Sequence, residues 1–282
     1  MIHIISSLLL LLFCLSQCTS NAEKAETGTS SKPAERWTVE KANRWYDQQP
    51  WLVGTNFGPS NAINQLEMWQ QETFDAETIE KELALSASIG MNTHRVFLHN
   101  LLWEQDSAGF LNRIDQFLTI AERHGIKPML VLFDGVWHPV PVLGIPPKPI
   151  PHKHNSGWVQ SPGAEYLIDK SHYPKLERYV KGVISRFAKD QRVLIWDLFN
   201  EPDNDNSGSY PELELADKYD PAFDLLKAAF KWAREVNPSQ PLTAGVWRGI
   251  IGTVVPWCAL NIWQEAGITP LKIYSRCSKS IE

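Results

Sequence analysis

A chain of 282 residues with 43% hydrophobic content is long enough to bury one substantial core. Its formal net charge of −5 gives no electrostatic case for nucleic acid or an anionic lipid surface as partner. Twelve tryptophans exceed ordinary needs, and each either fills the core or serves as an aromatic platform at the surface.

Residues 4–15 form an apolar run too short for a comfortable membrane span. Small and polar residues follow, which fits an export signal over residues 1–18. The run ends at "LSQC", similar to a bacterial lipoprotein box with Cys18 as the lipidated residue. The alternative is a signal cleaved nearby, with Cys18 discarded or free. Either way the chain is expected to be exported, as a periplasmic, cell-surface or secreted protein. Residues 19–36 are rich in Ser, Thr, Lys, Glu and Ala without apolar periodicity, and read as a disordered tether to a domain over 37–282. Apart from Cys14 and Cys18, the cysteines are Cys258 and Cys277, so no disulfide framework holds the chain up to Trp257. No Cys/His spacing suggests zinc, and the Pro-rich setting of His138, His152 and His154 favours a non-metal role.

From Trp37 onward strands and helices alternate. Residues 51–57 read as a first strand. Asp75 caps a helix with Ile79, Leu83 and Ala87 on one face. Residues 91–99 form the second strand. Leu111, Ile114, Phe117, Leu118 and Ala121 mark a helix that stops at Gly125. Residues 126–134 are the third strand, followed by a Pro-rich loop through Gly163. Leu176, Val180, Val183, Ile184 and Phe187 mark the next helix, 192–200 the fourth strand, Phe223, Leu226, Ala229, Phe230 and Ala233 another helix, and 241–247 the fifth strand.

Near-continuous apolar strands are buried on both faces, as in a parallel sheet covered by helices. Five such units fit a (β/α)8 barrel or a doubly wound sheet. No Gly-rich phosphate loop follows any strand, which argues against a nucleotide-binding version. Polar residues gather at strand ends: Asn56, Arg95, His99, Asp134, Asn200 and Glu201, with Trp247 closing the fifth. In a barrel these ends share one face, where active sites lie. Long loops after strands one, three and four add chain to that face and suit a cleft for an extended substrate.

The stretch "VLIWDLFNEPDN" is the most informative. A Glu ending a buried strand is costly unless it is paired or has chemistry to do. A carboxyl in a half-buried cleft can have its pKa raised enough to donate a proton near neutral pH, as glycosidic cleavage requires. Such cleavage also needs a second carboxylate, about 5–5.5 Å away in a retaining enzyme. Asn200 can donate its amide to a sugar hydroxyl. Read alone, "NEP" is also compatible with a turn carrying a surface Glu.

In context, "WDLFNEP" resembles the strand-four motif of clan A retaining glycoside hydrolases, most nearly family 5. "GTNFGPSNAINQLEMWQ", "NTHRVFLH", "IKPMLVLFD", "HNSGWVQSPG" and "WAREVNPSQPLTAGVW" are similar to the same group, and the resemblance covers residues 37–249. It implies a (β/α)8 TIM barrel that cleaves a β-1,4-glycan such as xylan, mannan or glucan by a two-carboxylate mechanism. It implies Glu201 as general acid/base, Asn200 as its substrate-orienting neighbour, and Arg95 beneath the site holding a catalytic carboxylate. Neither metal nor organic cofactor is needed, because two carboxylates can perform the reaction. His99 and Asp134 either contact sugar hydroxyls or fix a loop by a hydrogen bond. Trp69, Trp103, Trp137, Trp158 and Trp247 are candidate sugar platforms, with Trp137 and Trp247 favoured because they close or follow strand ends.

The nucleophile of such an enzyme stands at the end of strand seven. Only 35 residues follow Trp247, and one βα unit takes about 30 or more. The family pattern fades after Gly249; Glu265 falls in a helical stretch and Glu282 is the last residue. The expectation is therefore a truncated or frameshifted barrel, with five units and half of an active site. A non-catalytic glycan-binding protein is the alternative; an esterase is disfavoured by the lack of a Gly-x-Ser-x-Gly elbow.

Overall fold

A computed structural model describes residues 34–208 and 210–247. The expected export signal with Cys18, most of the tether, and the chain beyond Trp247 with Cys258, Cys277, Glu265 and Glu282 lie outside these residues. Among the described residues no helix is long and apolar enough to cross a membrane.

The five expected strands are present, shorter than the apolar runs that announce them. They are β1 (Gly54–Phe57), β2 (Thr93–Phe97), β3 (Met129–Asp134), β4 (Ile195–Asn200) and β5 (Leu242–Gly245). All pair in parallel, in the order β1-β2-β3-β4-β5. That order decides between the two architectures open to the sequence. A doubly wound sheet reverses its strand order at a switch point. Here each strand lies beside its predecessor without reversal, as in the wall of a (β/α)8 barrel, of which the described residues form five strands.

α1 (Val39–Asp47) precedes β1, and between the strands run α2 (Gln65–Trp69), α3 (Ala76–Ser88), α4 (Asn100–Arg123), α5 (Ala164–Ile168), α6 (Tyr173–Phe187) and α7 (Tyr219–Val236). Periodicity foretold α3, α4, α6 and α7, whose apolar stripes face the sheet. Ile79 and Leu83 of α3, Phe110, Ile114 and Phe117 of α4, Tyr179, Val183 and Ile184 of α6, and Leu225, Leu226 and Ala229 of α7 are buried completely. They join Val96, Leu130, Leu132, Trp196 and Leu198 of the sheet, and Leu98 just after β2, in one core. The short α1, α2 and α5 escaped the sequence reading, since one or two turns carry too few residues to show a period. α2 is instead set by its cap: Asn64 Oδ1 accepts from the backbone of Leu66 and Glu67, both at 3.0 Å. α4 is longer than its stripe suggested. It begins at Asn100, immediately after the expected second strand, whose last residue His99 is its N-cap, and bends at Asp106 (φ −158°, ψ 79°). Ala34 donates to the Arg234 carbonyl at 3.1 Å, tying the last tether residues to the end of α7.

Two features place side chains at the strand ends. The loops 135–163 and 201–218 follow β3 and β4 on the same face. And the β4/β5 register slips: Asp197 pairs Thr243 and Asn200 pairs Gly245, so three residues on β4 oppose two on β5.

Candidate active site

In a regular strand, residues three apart point to opposite sides. The bulge in β4 cancels that alternation and turns Asn200 to the side that Asp197 faces. A Cβ added to Gly245 would lie 2.9 Å from Arg95 Nη2 and 3.2 Å from Asn200 Oδ1, so the side chains of β2 and β4 meet over a glycine of β5.

Arg95 reaches across β3 to Asp197, donating from Nε at 2.9 Å and also from Nη2 to the same Oδ2. Asp197 is 2% exposed and Arg95 24%. The resemblance implied that Arg95 holds a catalytic carboxylate; within the described residues the carboxylate it holds is Asp197. Asp197 was not singled out from the sequence. Its one signal is an acid inside an otherwise apolar strand.

Asp134 stands beside Asn200 in the register and accepts from Asn200 Nδ2 at 2.8 Å and from the Val136 N–H at 3.2 Å. It is fully buried. Burial pushes its carboxyl up to about 7, and nearby Glu201 adds to the rise, while the bonds from Asn200 and Val136 and the Arg95 charge oppose it. Of the two roles open to Asp134, the structure displays the hydrogen bond: it fixes the Asn200 amide, leaving the second Nδ2 hydrogen uncommitted to Asp134.

Glu201 follows at once, half-buried, with φ 49° in the left-handed region. Its N–H donates to the Gly245 carbonyl at 2.6 Å, and its Oε2 accepts from Asn204 Nδ2 at 2.8 Å. Gly135 closes the other side. Its N–H donates to the Asn200 carbonyl at 2.8 Å, and a Cβ there would lie 2.4 Å from the Glu201 carbonyl oxygen. The carboxyl is thus carried on a turn clamped by both neighbouring strands.

His99 is fully buried at the start of α4. The Leu101 N–H donates to Nδ1 at 3.1 Å, which leaves Nε2 as the protonated nitrogen, donating to the Gln160 carbonyl at 2.8 Å. Burial pushes its pKa down to about 3. Of its two readings, the structure displays the loop-fixing one.

The tryptophans separate clearly. Trp69 is wholly buried and donates to the Phe97 carbonyl at 2.8 Å, and Trp103 packs into the space left by Gly182. Both belong to the core and its margin. Trp137 (φ 83°) stands after β3, its backbone held by the Asn206 amide at 2.7 and 3.3 Å. Its ring meets His154 and Trp158 edge-on at 5.2 and 6.0 Å, and Trp158 meets Phe97 at 5.8 Å. An aromatic line therefore runs from the β2 end along the long loop. Trp247 is 60% exposed and its N–H donates to Asp203 at 2.8 Å, beside the Glu201 turn. Asn56 is exposed on β1, opposite Arg95 in the register.

Residues 150–244 match the model of glycosyl hydrolase family 10. A β-1,4-mannanase from the common sea hare Aplysia kurodai aligns with a TM-score of 0.50 and 17% identity, over 78% of this chain and 68% of that one. The chain is thus similar to glycosyl hydrolase family 10 over that segment, and its fold is similar to that of the mannanase. A β-mannanase from the blue mussel Mytilus edulis aligns at 15% identity (TM-score 0.49, 77% of this chain and 66% of that one). An exo-β-1,4-mannosidase from Opitutaceae bacterium strain TAV5 aligns at 22% identity (TM-score 0.46, 69% and 32%). The chain thus spans 32–68% of the length of these three structures. No curated protein sequence matches it. The segment matched by the family model contains β4, Asn200, Glu201 and the loop 201–218, while Gly135 and Gly245 lie outside it.

Proposed function

We propose that this chain belongs to a glycoside hydrolase that cleaves β-1,4-linked polysaccharide by a retaining mechanism, with Glu201 as the general acid/base. The observation that carries the reading is the turn at the end of β4: Asn200 oriented by buried Asp134, then a half-exposed Glu201 held by Asn204 and Gly245. In the first step Glu201 gives its proton to the glycosidic oxygen as the bond to the anomeric carbon breaks. In the second it takes a proton from the water that releases the sugar. Asn200 donates to a hydroxyl of the ring being cleaved, while Trp137, Trp158 and Trp247 present ring faces to neighbouring sugars. The family 5 type is part of the proposal, supported by the motifs quoted above.

The acids around the turn within the described residues include the buried Asp134, Asp197 and Asp203 and the exposed Asp205. The nucleophile is proposed to come from outside the described residues. The same observation favours a second reading, a glycan-binding protein without turnover. We also propose export, with lipidation at Cys18.

Mannohexaose, xylohexaose and cellohexaose incubated with the chain, and with the product of any longer reading of its gene, decide between these. The hydrolase reading expects release of shorter sugars, reduced by about 10³-fold or more in Glu201→Gln. Binding of a hexasaccharide by wild type with no release in any form selects the second reading, and release that survives in Glu201→Gln refutes the role of Glu201.

A further inference from the structure

Lys218 and Glu214, which the reaction does not use, form an ion pair at 2.7 Å with both side chains only 4% exposed. A buried pair is a poor source of stability, because desolvating two charges offsets their attraction. Burial presses the Lys218 ammonium downward in pKa, and Glu214 draws it back. Apart from Glu214 Oε1, which accepts from the Leu215 N–H at 2.9 Å, the connections of the pair lead toward the loops that hold the Glu201 turn. Lys218 Nζ donates to the Gly135 carbonyl. Glu214 Oε2 also accepts from Gln160 Nε2 at 2.5 Å, and the Gln160 carbonyl receives the His99 proton. Gly135 in turn donates to the Asn200 carbonyl and lies against the Glu201 peptide with no room for a side chain. The start and the end of the loop after β3 and the loop after β4 are thus joined at one buried charge pair.

We propose that the Lys218–Glu214 pair is a positioning device for Glu201: the ammonium fixes the Gly135 peptide against the Asn200–Glu201 turn and so sets where the Glu201 carboxyl stands. The proposal rests on the reading of Glu201 as general acid/base, but its geometric part is testable without turnover. The variant Lys218→Met with Glu214→Gln, in the full chain, removes both charges and leaves an acceptor for Gln160. Its thermal midpoint should equal or exceed that of wild type, as apolar replacement of buried pairs commonly does. Amide hydrogen exchange at Gly135 and Glu201 should quicken by about tenfold or more, while Leu98, which donates to Val131, keeps its protection. In any form that turns over mannohexaose, kcat should fall about tenfold with KM within about twofold. Exchange at Gly135 and Glu201 within about twofold of wild type overturns the proposal. So does loss of protection across β2 and β3 alike with a lowered midpoint, which makes the pair a general support. Glu201→Gln, measured in parallel, keeps Gly135 protected and changes turnover alone, so failure of the acid/base reading shows separately.

Discussion

Gly135 and Glu201 share one small volume. The atoms a Gly135 Cβ would meet are backbone: the Glu201 oxygen at 2.4 Å, its carbonyl carbon at 3.0 Å and Pro202 Cα at 3.2 Å. None can swing aside as a flexible side chain would. Glu201 itself sits at φ 49°, a region that a residue with a Cβ enters at a cost of about 1–3 kcal/mol. The turn keeps it there through the bonds to Gly245 and Asn204. Gly135→Ala should therefore push the Glu201 peptide outward, destabilise the fold by about 1–3 kcal/mol, and weaken hexasaccharide binding or turnover by about tenfold. Gly58→Ala is the control, since no atom lies within 4 Å of its added Cβ. Urea melts and calorimetric titration of both variants check this; equal behaviour of the two would remove Gly135 from the account. Nothing adjacent to Gly135 in the chain marks it, because the residue that forbids its side chain lies far along the sequence.

At the scale of elements, the long helices and all five strands were legible because burial writes its period into the sequence. Their ends were less so. His99 was read as the end of a strand, and is the N-cap of α4. The bulge in β4 was not legible at all: it is a mismatch with β5, and no single strand contains it. The same holds for Arg95 and Asp197, whose pairing depends on two strands separated by β3. What could be read at the site, "NEP" after an apolar run, was local in the chain; what orients it is not. The cap can be tested as an element. His99→Leu removes the acceptor for Leu101 and leaves the Gln160 carbonyl unpaired, and should cost about 2–4 kcal/mol as the sum of a lost cap and a buried orphan. His99→Asn, with an N-capping side chain, should recover about 1 kcal/mol of that. Chemical denaturation of the pair measures the difference. An Asn variant no better than Leu would mean that the ring, rather than its hydrogen bonds, supports α4.

For the molecule as a whole, one core and one parallel wall place two buried titrating groups near the same end of the sheet, and they respond to pH in opposite senses. His99 is held near 3 against 6.5 in the unfolded chain, so unfolding takes up a proton between those values. Its contribution is complete above 6.5 and is lost as pH falls toward 3. Asp134 is held near 7 against 3.8, so the folded chain carries the extra proton. Its contribution is complete below 3.8 and is lost as pH rises through 7. Arg95, Asn200 and Val136 limit that rise and Glu201 enlarges it, so two charges and two hydrogen-bond donors from the ends of β2, β3 and β4 act on one carboxyl. Asp134→Asn keeps an oxygen for Asn200 Nδ2 but cannot ionise. Near pH 4 it should unfold at nearly the same urea concentration as wild type, because Asp134 is then protonated in the fold. By pH 8 the wild type must carry a buried carboxylate and the variant need not, so the variant should gain steadily in relative stability across that range. His99 titrates in both proteins and cancels from the difference. Urea midpoints at pH 4, 6 and 8 give the result directly: a constant offset between the two proteins would show that Asp134 is ionised in the folded state throughout.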